Sequence, residues 1–184
     1  LANTTVICDF GWKPTGFRLP ATDGKVYDLE TLAGHAGLVV MFICNHCPYV
    51  LSALERIIED ARDLQSLGVG VAAICSNDAQ TYPEDSFEAM TRMAETQGFP
   101  FPYLHDESQQ IARDWQAACT PDFFGFNAAL ELQYRGRLDA GGKKSGPHRA
   151  QRELFEAMRE IAATGRGPKD QVPSIGCSIK WRAQ

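Results

Sequence analysis

The sequence predicts an α/β fold: a central mixed β-sheet flanked by helices on both faces, with an N-terminal β-hairpin ahead of it. Three observations carry this expectation. Residues 37–43 and 69–75 are short, almost wholly apolar, β-rich runs, the pattern of strands buried on both faces. Each run is followed by apolar residues three and four apart, the spacing of one helix face. Two further strand-like runs, 123–126 and 130–138, follow each other with no helix between them, which makes the sheet mixed rather than all parallel.

The elements follow in order. Phe17-Arg18-Leu19-Pro20, then Asp23-Gly24, then Val26-Tyr27-Asp28-Leu29 spell a hairpin with a D-G turn. Residues 37–43 are the first central strand. Val50, Leu51, Leu54, Ile57, Ile58, Ala61 and Leu64 then share a helix face, and Gly68 closes that pattern. The second central strand is 69–75. A helix over 85–97 carries Phe87, Met90 and Ala94 on one side, and a short strand is expected at 101–104. Ser108 is placed to cap a helix bearing Ile111, Ala112 and Trp115. After the two strand-like runs, a last helix spans about 149–163 and stops at Gly165 and Gly167.

The chain has 184 residues, 44% hydrophobic and 22% charged, the make-up of one globular domain. The expected organisation is a single domain over 1–184, with 168–184 a C-terminal tail packed on it. Eighteen basic against 23 acidic residues give a net charge of −5, which argues against nucleic acid or an anionic membrane surface as a general partner. No stretch approaches the roughly 20 apolar residues of a membrane span. Residues 1–10 lack the basic start of a secretion signal and carry Asn3, Cys8 and Asp9, so a cytoplasmic location is expected, with a removed leader and a periplasmic location left open.

Six cysteines are too few for a secreted disulfide scaffold. Cys44 and Cys47 form a single C-x-x-C pair, and without a second pair a four-thiolate zinc ribbon is not expected. The pair sits in Ile43-Cys44-Asn45-His46-Cys47-Pro48, where a buried strand hands over to an amphipathic helix. A helix N-terminus presents unsatisfied amides and about half a positive charge, so a thiolate there is stabilised. On this reading Cys44, first in the pair, is the thiol of lowered pKa. Cys47 lies within the same turn, points inward and can close a small disulfide ring with Cys44. His46 favours thiolate over disulfide by opposite charge, which makes the couple moderately oxidising. Asn45 adds a polar donor at the mouth.

These segments carry a resemblance to the thioredoxin superfamily, in its redoxin branch of alkyl hydroperoxide reductases and thiol-specific antioxidant proteins. More narrowly, the chain is similar to peroxiredoxin-like bacterial thiol-disulfide oxidoreductases. The likeness extends over nearly the whole chain. It rests on residues 17–29 and 40–50, on Cys119-Thr120-Pro121-Asp122-Phe123-Phe124, and on Pro173-Ser174-Ile175-Gly176-Cys177-Ser178-Ile179-Lys180-Trp181. The resemblance implies a thioredoxin-like fold. It implies that Cys44 is the exposed attacking cysteine and Cys47 the resolving one. It also implies that Pro121, preceded by Thr120, is the cis-proline facing the pair, where the backbone of the preceding residue pairs with an extended substrate.

Two departures from these relatives matter. Peroxiredoxins hold peroxide with a P-x-x-x-T-x-x-C loop; counted back from Cys47 those places hold Val40 and Cys44, and counted back from Cys44 they hold Gly37 and Met41. Thioredoxin has a buried Asp behind its pair, where this chain has Leu38. The expected function is therefore thiol–disulfide exchange through Cys44 and Cys47, to reduce, oxidise or isomerise disulfides, with no cofactor and no metal. Protein or small-molecule disulfides and thiols are the expected substrates, and a thiol reductant or a thioredoxin-type protein is the expected electron donor. A homo-oligomer is compatible with the sequence. Two alternatives stay open: a thiol-dependent peroxidase, and a metal-binding protein using Cys44, His46, Cys47 and a distant Cys119 or Cys177. Cys119 and Cys177 are candidates for additional redox partners, and Cys75 is expected in the core. His35, His105 and His148 are expected to be surface or structural residues, and Lys143-Lys144 with His148-Arg149 reads as a solvated loop.

Overall fold

A computed structural model describes residues 1–183. Its strands are β1 (Ala2–Thr4), β2 (Arg18–Pro20), β3 (Val26–Asp28), β4 (Gly37–Phe42), β5 (Val69–Cys75), β6 (Tyr103–His105), β7 (Cys119–Thr120), β8 (Asp122–Phe126), β9 (Leu132–Tyr134) and β10 (Ile175–Ser178). Its helices are α1 (Leu29–Leu32), α2 (Pro48–Ser66), α3 (Phe87–Gln97), α4 (Gln110–Asp114) and α5 (Glu153–Thr164), with a 3-10 turn at Pro83–Asp85.

The central sheet has the order β6-β5-β4-β8-β9. Strands β4, β5 and β6 run parallel, and β8 returns antiparallel to β4 with Leu38 opposite Phe126 and Phe42 opposite Asp122. The mixed sheet is thus the expected one. All six residues of β4 are buried, and their alternation divides the core. Val39, Met41 and Ile43 enter a cluster with Leu54, Ile57 and Met158 of α2 and α5. Leu38, Val40 and Phe42 enter a second cluster, with Trp115, Phe124 and Phe126 and with Leu29 and Ile111 of α1 and α4. Each such fully buried side chain contributes about 1.5–3 kcal/mol of transfer free energy.

The hairpin of β2 and β3 pairs Arg18 with Asp28 and Pro20 with Val26. Its turn is a three-residue loop: Gly24 N–H donates to Ala21 O at 3.1 Å and Gly24 holds φ +82°, the left-handed step that closes a type I turn.

Several boundaries differ from the expectation. The helix expected from residue 85 begins at Phe87, because Ser86 caps it by accepting Ala89 N–H at 3.3 Å. Asp106, not Ser108, is the main cap of α4: its carboxylate accepts Ile111 N–H at 3.4 Å and Ala112 N–H at 3.0 Å. Helix α5 starts at Glu153 rather than near 149, because His148 and Arg152 are drawn across to Asp60 of α2. Leu51 of α2 is exposed. A three-stranded sheet, β1-β10-β7, was not foreseen, and it builds the roof of the candidate site.

Candidate redox site

Strand β4 ends at Phe42 and α2 begins at Pro48, a residue suited to the first helical position. The turn between them carries Cys44, and Cys47 is the N-cap of α2, its carbonyl accepting Leu51 N–H at 2.9 Å. Both thiols meet the segment before β8. Cys44 Sγ lies 3.5 Å from Thr120 Oγ1, and Cys47 Sγ lies 3.1 Å from the Thr120 carbonyl oxygen. The Thr120–Pro121 peptide bond is cis.

Neither sulfur faces solvent: Cys44 is 1% exposed and Cys47 0%. This corrects the expectation of an exposed attacking Cys44. The chain's own tail lies against this segment. Strand β10 pairs antiparallel with β7, Cys177 opposite Thr120 and Ser178 opposite Cys119, and so fills the backbone edge that was expected to receive a substrate strand.

The two thiols sit in different surroundings. The helix starts at Cys47, not at Cys44. The Cys44 thiol donates to Cys47, and the Cys177 thiol, Thr120 and the Val50 N–H add to it; against burial, they hold Cys47 below the ordinary cysteine range. Cys44 is pushed up, first by donating that hydrogen bond, then by burial and by the Asp85 carboxylate.

Asp85 is fully buried and was not singled out in the sequence. One carboxylate oxygen accepts Asn45 N–H at 2.7 Å; the other accepts Asn77 Nδ2–H at 2.8 Å and lies 2.8 Å from His46 Nδ1. The His46 ring is therefore committed to a carboxylate and to a stack on Tyr82, centroids 5.7 Å apart, rather than to a thiolate. Asn45 is not a donor at the mouth: its Nδ2 donates to Glu84 O at 2.9 Å and its Oδ1 accepts Tyr103 O–H at 2.8 Å. Asp85, in the loop after β5, places a buried carboxylate beside Cys44, with the ligand atoms of Cys44, His46 and Asp85 within 4.8 Å of one another. The signal was present in Ser76-Asn77-Asp78, polar residues at the C-terminal end of a parallel strand next to β4, where sites of open α/β sheets gather.

The four-ligand metal set of Cys44, His46, Cys47 and a distant cysteine does not assemble. Among the described residues, the ligand atoms that converge are those of Cys44, His46 and Asp85, within 4.8 Å of one another. Asp85 already accepts two N–H groups there, which suits proton handling better than an ion. Cys119 is buried, its thiol directed at Pro121 O at 3.5 Å and pushed up by burial and by Asp122. Cys177 is half-buried and packs against the core cluster that holds Cys44 and Cys47. A cavity of about 190 Å³ adjoins the site, lined by Tyr49, Pro121, Ser174, Ile175 and Arg137. Larger clefts of about 720 and 820 Å³, along α5 and the outer face of α2, are lined by no cysteine or histidine.

A parallel-cored sheet with paired thiols between strand and helix, facing a cis-proline, defines the thioredoxin-like class. Residues 11–139 match the model of the AhpC/TSA family, and the chain belongs to that family. Family and fold together make it a thiol-redox protein of the thioredoxin superfamily. Among solved structures it is similar to an uncharacterized conserved protein from Geobacillus kaustophilus, with 42% identity over 100% of this chain and 98% of that one and a TM-score of 0.93. It is also similar to a hypothetical protein from Sinorhizobium meliloti 1021, with 35% identity over 100% of both chains and a TM-score of 0.93. An exposed lipoprotein thioredoxin from Streptococcus pneumoniae shares the fold, with 18% identity over 79% of this chain and 99% of that one and a TM-score of 0.60. No curated protein matches the chain. No helix among the described residues is long and apolar enough to cross a membrane.

Proposed function

We propose that the protein is a thiol–disulfide oxidoreductase whose redox pair is Cys44 and Cys47. One observation carries the reading: Cys44 and Cys47 flank the start of α2 with both sulfurs on the same residue, Cys44 Sγ 3.5 Å from Thr120 Oγ1 and Cys47 Sγ 3.1 Å from Thr120 O. Such a pair divides its labour. Cys47 Sγ attacks the disulfide it meets, because a thiolate is the nucleophile of exchange; the S–S bond of that disulfide breaks, one sulfur bonds to Cys47 and the other leaves as a thiolate. Cys44 then attacks Cys47 Sγ; the Cys44–Cys47 bond forms, the bond from Cys47 to the captured sulfur breaks, and the captured group leaves as a thiolate. The Cys44 proton passes toward Asp85, the buried carboxylate beside it. Substrates are disulfides and thiols, and a thiol reductant closes the cycle. No metal or organic cofactor takes part.

Equilibration with reduced and oxidised glutathione, read by mapping of disulfide-linked peptides, tests the reading. The expected product is a Cys44–Cys47 disulfide. The stabilised Cys47 thiolate favours the reduced state, so the couple lies above thioredoxin's potential of about −270 mV. A pair that stays dithiol at every poise would refute the function. A potential at or below that of thioredoxin would refute the role given to the Cys47 thiolate. Reaction with hydrogen peroxide no faster than that of a free thiol separates this activity from a peroxidase.

A further inference from the structure

Cys177 is the one cysteine of the six that is not buried. Its place is fixed by the strand that carries it. Cys177 lies opposite Thr120 in the register of β10 on β7. Gly176 lets the two backbones close: a Cβ there would stand 2.0 Å from the Thr120 carbonyl oxygen. Upstream, Ser174 Oγ–H donates to Pro121 O at 2.7 Å and Ser174 N–H to Thr5 Oγ1 at 3.1 Å. Downstream, Lys180 N–H donates to Asn77 Oδ1 at 2.9 Å, and Lys180 O accepts Asp78 N–H at 2.8 Å and Gln109 Nε2–H at 2.9 Å. The strand is thus fastened on both sides of the sulfur, and Cys177 packs against the core cluster that holds Cys44 and Cys47. The residue is half-buried, so it borders the buried pair and keeps part of its surface in solvent.

We propose that Cys177 is a third redox thiol, a relay through which small-molecule thiols and disulfides exchange with the buried Cys44–Cys47 pair. The inference rests on the exchange reading above. In the first step the Cys177 sulfur attacks Cys47 Sγ of the Cys44–Cys47 disulfide. A Cys47–Cys177 bond forms, the Cys44–Cys47 bond breaks, and Cys44 leaves as a thiol carrying the proton that Cys177 gives up. This step is an internal exchange with no net oxidation. In the second, a small thiolate attacks Cys177 Sγ, the Cys47–Cys177 bond breaks, and Cys47 leaves as a thiolate. In the third, a second small thiolate attacks the small-molecule sulfur of that mixed disulfide and frees Cys177. Two small thiols become one disulfide, and the protein disulfide becomes two thiols. The reverse sequence carries oxidation inward.

The second step goes this way for two reasons. Of the three residues, Cys177 is the one that keeps solvent-accessible surface. Cys47, held below the ordinary range, leaves readily, whereas burial and the hydrogen bond to Cys47 push Cys177 up to about 11. The substrate class follows from the same strand. With the β7 edge filled by β10, an extended protein chain has no backbone there to pair with, whereas a small thiol needs only the exposed sulfur.

Two measurements test the relay. In Cys177→Ser, which keeps a hydroxyl donor beside Cys47, reduction of the Cys44–Cys47 disulfide by glutathione slows about tenfold or more with the potential unchanged. An equal or faster rate overturns the relay. In Cys44→Ser, treatment with oxidised glutathione gives an intramolecular Cys47–Cys177 disulfide, found by peptide mapping. Glutathione held on Cys47 with Cys177 free, or both thiols left free, overturns it as well. A wild-type protein that never forms Cys44–Cys47 defeats the exchange reading itself. One that forms it normally while Cys177→Ser keeps the full rate defeats the relay alone.

Discussion

Two buried polar clusters, both packed against α2, treat their carboxylates in opposite ways. At the middle of the helix, Asp139 meets Arg56 Nε at 2.8 Å and His148 Nδ1 at 2.8 Å, while Asp60 meets His148 Nε2 at 2.9 Å and Arg152 at 2.6 Å. Arg56 also donates to the carbonyl oxygens of Lys144, at 2.5 Å, and Gly146, at 3.1 Å, and so ties the 141–147 loop to the helix. At the start of the helix, Asp85 is held by the Asn45 N–H, the Asn77 amide and the His46 imidazole, with the Cys44 sulfur beside it. Guanidinium partners lock a carboxylate as a strut. Amide and imidazole partners leave one able to act on a neighbouring atom. The first cluster fastens the fold; the second sits beside a reactive sulfur.

The largest expected effect breaks the site alone. Cys47→Ser removes the low-lying thiol, and disulfide exchange with glutathione falls by about a thousandfold or more. Its thermal melting point stays within a few degrees, since a near-isosteric surface of the core is kept. A variant that retained exchange would move the chemistry away from α2. Next comes the strut. Arg56→Ala leaves Asp139 buried with no guanidinium, held only by His148 and the Gly141 N–H, and unfolding in denaturant reports a loss of about 3–5 kcal/mol. The ultraviolet thiolate titration of this variant matches the wild type; a shifted titration would show that the two clusters are one network. Ser174→Ala is smaller. It strips the Pro121 carbonyl of its hydroxyl donor, leaving the weak Cys119 thiol at 3.5 Å, and costs about 1–3 kcal/mol by the same denaturant measurement.

The finest test lies within the site. The negative charge of Asp85 holds the Cys44 thiol up, so Asp85→Asn shifts the Cys44 titration to lower pH. The sign is fixed by charge: removing an anion favours the neighbouring thiolate. Measured in Cys47→Ser to isolate Cys44, an unchanged or upward shift would detach Asp85 from the sulfur.

How much of this was legible depends on how far apart in sequence the partners are. Strands β4 and β5 and helix α2 announce themselves because burial on two faces leaves an unbroken apolar run, and burial of one face leaves a 3.6-residue period. The pair Cys44 and Cys47 was legible for its local spacing. What was hidden depends on distant pairing. Strands β7 and β10 span two and four residues, and their register joins Thr120 to Cys177, which no local pattern encodes. The packing of Cys177 on the cluster that holds the pair follows from that pairing. Asp85 looked like the first residue of a helix because an acidic residue is common there; only the fold turns it inward. His148 looked solvated beside Lys143 and Lys144, yet it is 8% exposed between two aspartates of other segments.

The roof that β10 places over Cys44 and Cys47 also governs how the protein ages. Conversion of a cysteine to sulfinic or sulfonic acid requires direct contact between oxidant and sulfur, and no ordinary thiol reverses it. Sulfurs at 1% and 0% exposure are shielded from that contact. Chemical wear therefore falls first on Cys177, the cysteine that is not buried, rather than on these two sulfurs.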